Sequence, residues 1–108
     1  MLGAGQPVRS VEYCLAMHLA AHRQLPEAAT IFTSVMSAEA AALGPLHTDT
    51  LVTRLHLARV RNESGVLPDE DTELEYERIL AAQIAASGPD HARVVNVRHL
   101  LDEVRARG

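Results

Sequence analysis

An all-α antiparallel array of helix pairs is predicted by three observations. The chain repeats a phrase, its apolar residues recur at helical spacing throughout, and it shows no strand alternation. Residues 44 to 54 read GPLHTDTLVTR and residues 88 to 98 read GPDHARVVNVR. Gly44, Pro45, His47 and Arg54 thus return as Gly88, Pro89, His91 and Arg98, each 44 residues later. A period of this length is the mark of stacked helix pairs. The reading is two helix pairs, residues 8 to 44 and 45 to 88, and a C-terminal capping helix over 89 to 108.

The elements follow in order. Residues 1 to 7, MLGAGQP, hold two Gly and a Pro and read as a flexible lead-in. From Val8 to about His22, Val11, Leu15 and Leu19 fall four apart, the stripe of an amphipathic helix. Pro26 suits the first turn of a second helix, continued by Ala28, Ile31, Phe32, Val35, Met36 and Leu43. Gly44 is expected to stop it as a left-handed cap, with Pro45 behind it. Thr48 or Asp49 can cap the third helix, whose apolar face is Leu51, Leu55, Leu57 and Ala58, ending near Gly65. Pro68 restarts the helix, and the six acids of DEDTELEYE (69 to 77) lie near its N-terminus, where the macrodipole favours them. Leu74, Tyr76, Ile79, Leu80 and Ile84 form its stripe. After Gly88, Val94, Val97, Leu100, Leu101 and Val104 build the fifth helix.

Composition narrows the function. A chain of 108 residues is one domain, and its 47% apolar content is that of a folded one. All 10 basic residues are Arg, a bias that with the abundant Ala fits a GC-rich bacterial genome of actinobacterial type. The net charge of −4 and the lack of a basic cluster argue against nucleic-acid binding. No apolar run reaches membrane-spanning length, and the single Cys14 forms no internal disulfide. The expected location is the cytoplasm.

The repetition extends further. LPEAATIF from Leu25 matches LPDEDTELEY from Leu67 if the second copy carries two inserted residues, so the offset is 42 before the insertion and 44 after it. Leu15-Ala16, Leu19, Leu25, Ala28, Phe32 and Val35, with Leu57-Ala58, Gly65, Leu67, Tyr76, Ile79 and Leu80, have a spacing that resembles the tetratricopeptide repeat. LGPLHTDTLVTRLHLA, residues 43 to 58, resembles the linker-plus-helix phrase of its longer, kinesin-light-chain-like variety, found in bacterial multidomain signalling proteins. HEAT-type repeats have similar periods, but the Gly-Pro-x-His linker is not theirs. Four positions depart from the family pattern. Arg61 replaces a large apolar residue, Thr72 replaces Ala, Asp102 occupies a small-residue site, and Leu55-His56 replace a paired Asn.

The resemblance implies a non-catalytic module that binds a protein or peptide on a concave face lined by the first helix of each pair. Tyr13, Met17, Ala20, Leu55, Arg59, Asn62, His99 and Glu103 would line it, with Arg59 available to hold a carboxylate. It implies no cofactor and a linker His, at His47 and His91, that fastens its turn by a hydrogen bond. A short array exposes its ends, so homodimerisation is the alternative role. His18 and His22 have metal-chelating spacing but neither a following Glu nor an evident third ligand. Cys14, placed in the apolar stripe beside them, is expected to be inert. The acidic run 69 to 77 reads as a solvated helix face rather than a docking patch.

Overall fold

The computed structural model describes residues 11 to 107; the lead-in and the expected helix start at Val8 lie outside them. Five helices follow one another: α1 (Val11–Ala21), α2 (Leu25–Leu43), α3 (Thr48–Glu63), α4 (Asp69–Ser87) and α5 (Ala92–Arg107). No strand occurs among the described residues. The main contacts join each helix to its neighbours in sequence, α1 to α2 and so on to α5.

The repeat is carried into the helix boundaries. α2 and α4 each have 19 residues, and α3 and α5 each have 16. From α2 onward each start recurs 44 residues later. Burial recurs with it. Ala28, Phe32, Val35 and Glu39 of α2 are buried, as are Thr72, Tyr76, Ile79 and Gln83 of α4. Thr72 is accommodated at an alanine position because its hydroxyl donates to the Pro68 carbonyl of its own helix, at 2.9 Å.

The turns come in two kinds. α1 and α3 end in Schellman motifs. Gln24 N–H donates to Leu19 O at 2.8 Å around Arg23 (φ 63°), and Val66 N–H donates to Arg61 O at 2.9 Å around Gly65 (φ 84°). The first pair is thus separated at Arg23, and Pro26 takes its expected place in the first turn of α2. Gly44 and Gly88 end α2 and α4 differently. With φ/ψ of 103°/151° and 87°/160° they leave the left-handed helical region expected of them and enter one open essentially to glycine alone. The cause is the following proline, which forces an extended ψ on the residue before it while the turn demands a positive φ.

His47 is the N-cap of α3, where Thr48 or Asp49 was expected. Its Nδ1 accepts the Asp49 N–H at 3.1 Å, and His91 Nδ1 accepts the Arg93 N–H at 3.0 Å. The repeated histidine therefore ties each turn to the helix that follows it.

Two clusters make the core. Ala16, Leu25, Ala28 and Phe32 pack with Leu57 and Val60 of α3. Leu51, Leu55 and Ala58 of the same helix pack with Tyr76, Ile79, Val97, Leu101 and Val104. α3 is therefore buried on two flanks. α1 presents a different face from the one its apolar stripe suggests. Ala16 is enclosed, whereas Val11 (84% exposed), Leu15 (45%) and Cys14 point outward.

Because a Cβ at either glycine meets nothing within 4 Å, Gly44→Ala and Gly88→Ala are expected to cost about 1–3 kcal/mol each through backbone strain alone. Arg23→Gly, which installs the residue that the second copy carries at Gly65, is expected to gain about 1 kcal/mol by relieving the left-handed arginine. Part of that gain is offset by the loss of its exposed 2.9 Å bridge to Glu63. Gln83 is fully buried, and among the described residues its amide has no hydrogen-bond partner. Gln83→Met should raise stability by about 1–3 kcal/mol. Urea denaturation midpoints check all four variants.

Candidate functional site

α3 sits between α2 and α4, so along most of its length its surface reaches solvent in two strips. One strip is Val52, His56, Arg59 and Glu63, spaced at helical turns and partly or fully exposed. The other includes Arg54 and Arg61, about half a turn round the helix.

The first strip adjoins two shallow hollows. Met17, Ala20 and Ala21 of α1 face Arg59 and Glu63 across a hollow of about 370 Å³, with Arg23 at its edge. Asp49 and Val52 of α3 face Ala92, Arg93 and Asn96 of α5 across one of about 500 Å³. The fold thus brings Met17, Ala20 and Arg59 together, as the sequence implied. The Arg23–Glu63 bridge closes the edge of the first hollow. Among the described residues, no carboxylate pairs with the Arg59 guanidinium, and its Nε is buried without a hydrogen bond.

The other predicted lining residues are placed differently. Leu55 is only 2% exposed and belongs to the core between α3, α4 and α5. It cannot line a surface, because a helix buried on two flanks has a wider apolar arc than one stripe implies. Asn62 is engaged at the α3–α4 turn. Its Nδ2 donates to Leu67 O and to Asp69 Oδ1 (3.0 and 2.7 Å), and its Oδ1 accepts from Arg107 Nη2 at 2.6 Å. These bonds from Asn62 and Arg107 hold the Asp69 carboxyl below the usual carboxylate range.

His99 lies 44 residues after Leu55 and so takes the outer flank of α5, where it pairs with Glu103 at 3.0 Å. Tyr13 is half-buried in an aromatic cluster, with ring centroids 6.1 Å from Phe32 and 6.0 Å from His56. Glu103 and Arg59 both act electrostatically on the Tyr76 phenol. Burial pushes that phenol up to about 12, with Arg59 opposing the rise and Glu63 and Glu103 adding to it. Val52, His56 and Glu63 were missed because the face read through Leu55, Arg59 and Asn62 is rotated round α3 from the exposed strip and shares only Arg59 with it. The alternation of polar and apolar residues at Val52, His56 and Arg59 is a weak signal on a helix with so narrow an exposed strip.

The acidic run is neither a free docking patch nor a bare solvated face. Glu75 forms a bidentate pair with Arg54 at 3.0–3.2 Å. Glu73 and Glu77 both hold Arg105, at 2.9 and 2.8 Å, and Asp69 takes Arg107 at 3.3 Å. Glu70 and Asp71 remain outside these pairs.

His22 Nδ1 lies 2.9 Å from the His18 carbonyl, so one ring nitrogen of the pair is turned to its own helix. Among the described residues no group of three or more His, Cys, Asp or Glu could hold a metal ion. Cys14 is exposed rather than sheltered in the core. No described helix is long and apolar enough to cross a membrane. No family model, curated protein or solved structure matches the chain.

Proposed function

We propose that the chain is a non-catalytic interaction module, a tetratricopeptide-like array of two helix pairs closed by a capping helix. It docks a peptide or helix of a partner protein on the face shared by α1, α3 and α5. The observation that carries this reading is the hollow that joins Met17 and Ala20 of one helix to Arg59 of another. It offers an apolar wall beside a guanidinium that no carboxylate neutralises among the described residues. Such a site suits a ligand side chain that is apolar with a carboxylate alongside. The constant 44-residue recurrence of helix boundaries and buried positions supports the array. The outer flank of α5 supports its capping role. Its His99 and Asp102 stand where α3 has Leu55 and Ala58, and both are exposed. A place within a larger bacterial regulator is part of the same proposal.

A displayed random-peptide library selected on the wild-type chain, with counter-selection on Arg59→Ala, tests it. Enriched peptides should carry a carboxylate and bind the variant at least about tenfold more weakly, the loss expected of a charged hydrogen-bonded pair. Equal binding to both proteins would overturn the reading. Self-association is the second reading, favoured by the exposed Val11 and Leu15 of α1. On that reading a concentration-dependent dimer in sedimentation would become monomeric in Val11→Asp/Leu15→Asp.

A further inference from the structure

A further concavity lies on the other side of α3. It is a groove of about 500 Å³ between α2 and α4, with α3 as its floor. Met36, Leu57, Leu67 and Leu74 supply its apolar surface. Leu74 is 49% exposed, where the first copy has the threonine Thr30. Arg54, Arg61 and Arg78 stand around that surface with Asp71 and Glu75.

The internal repeat shows which of these charges is unsatisfied. Arg54 is closed off by its bidentate pair with Glu75. Arg61 has a counterpart 44 residues later, Arg105, which is held by Glu73 and Glu77 of α4. The positions corresponding to those two acids on α2 are Ala29 and Thr33. Among the described residues Arg61 accordingly reaches only the Thr33 hydroxyl, at 3.3 Å. The same backbone site that clamps one guanidinium between two carboxylates leaves the other without any. Arg78 has no hydrogen bond or ion pair among the described residues. Two guanidiniums without a carboxylate partner among the described residues thus flank an apolar channel whose other charges are Asp71 and the paired Arg54 and Glu75, on a chain whose net charge is −4.

We infer that this α2–α4 groove is a second docking surface, for an acidic amphipathic helix of a partner protein. A leucine-type side chain of that helix rests on Leu57, Leu67 and Leu74. Its carboxylates supply to Arg61 and Arg78 what Glu73 and Glu77 supply to Arg105. An apolar stripe flanked by acids matches the groove in shape and sign, whereas a basic helix would set like charges against it.

The test uses the ¹⁵N-labelled full chain and a synthetic helical peptide with Leu at i, i+3 and i+7 flanked by Glu, beside the same peptide with Lys for every Glu. Titration of the Glu peptide should shift the amide and guanidinium Nε resonances of Arg61 and Arg78 and the amide of Leu74. The Lys peptide should leave them in place. Arg61→Gln/Arg78→Gln should weaken the Glu peptide at least about tenfold. Leu74→Glu, a change at an exposed position, should do the same with the native amide spectrum retained. Absence of shifts in the groove, equal response to both peptides, or binding that survives the double variant would overturn the inference. Shifts confined to Met17 and Arg59 would also overturn it while leaving the α1–α3 site standing.

Discussion

The burial of α3 on two flanks is the constraint from which the rest of the structure follows. Leu57 and Val60 are committed to α1 and α2, and Leu51, Leu55 and Ala58 to α4 and α5. A helix has a circumference of only 3.6 residues, so two apolar flanks leave two narrow strips. Arg59 and Glu63 occupy one strip, and Arg54 and Arg61 the other. Both concave regions of interest lie along these strips. Long, charged side chains suit such strips, since their stems cover the adjoining apolar flanks while their heads stay in water.

α5 shows the same sequence pattern with one flank removed. Its Val94, Val97, Leu101 and Val104 are buried, as are Thr50, Thr53, Leu57 and Val60 on α3. The Thr-to-Val exchanges are of similar volume, and the threonine hydroxyls are satisfied locally, by Gly44 O at 2.9 Å and Asp49 O at 3.2 Å. On the opposite flank Leu51, Leu55 and Ala58 become Val95, His99 and Asp102, all exposed. Arg98, with no further helix before it among the described residues, turns back to the Pro89 carbonyl at 3.3 Å. At His99 and Asp102 the polarity thus follows the loss of a covering helix, whereas Val95 stays apolar although it is exposed.

The helices, the stops at Gly44, Gly65 and Gly88 and the two-residue insertion were legible because glycine marks these stops, with proline and then histidine behind it in the α2–α3 and α4–α5 turns, whereas Arg23 at the end of α1 carries no such signal. The face exposed by each helix was less legible. Val11 and Leu15 look like a buried stripe, yet among the described residues α1 packs on the side of Ala16 and leaves both exposed. Leu55, which the resemblance assigned to the lining, is core, as its place on the apolar face of α3 had it, because α4 and α5 close over it. Local periodicity reports that a helix is amphipathic, but the number of helices packed on it decides how wide the apolar arc must be. The second groove left no linear trace at all. Its arginines come from α3 and α4, and what distinguishes Arg61 from Arg105 is two residues on a different helix.

That comparison bears on how charge is arranged in a small helical protein. An exposed arginine–carboxylate pair contributes little to stability, so its loss at one copy is tolerated by the fold. Arg105 and Arg61 occupy matching backbone sites, and both helices form and pack. The arginine at 61 is therefore not required as a counter-ion within the chain, in the way Arg54 is matched to Glu75. A half-buried guanidinium in an apolar groove, with a hydroxyl as its hydrogen-bond partner, is costly to keep on stability grounds. A long apolar side chain at that position would cover the same surface at less cost. The charge at Arg61 is accounted for once a carboxylate from outside the chain completes the pair that Arg105 completes within it.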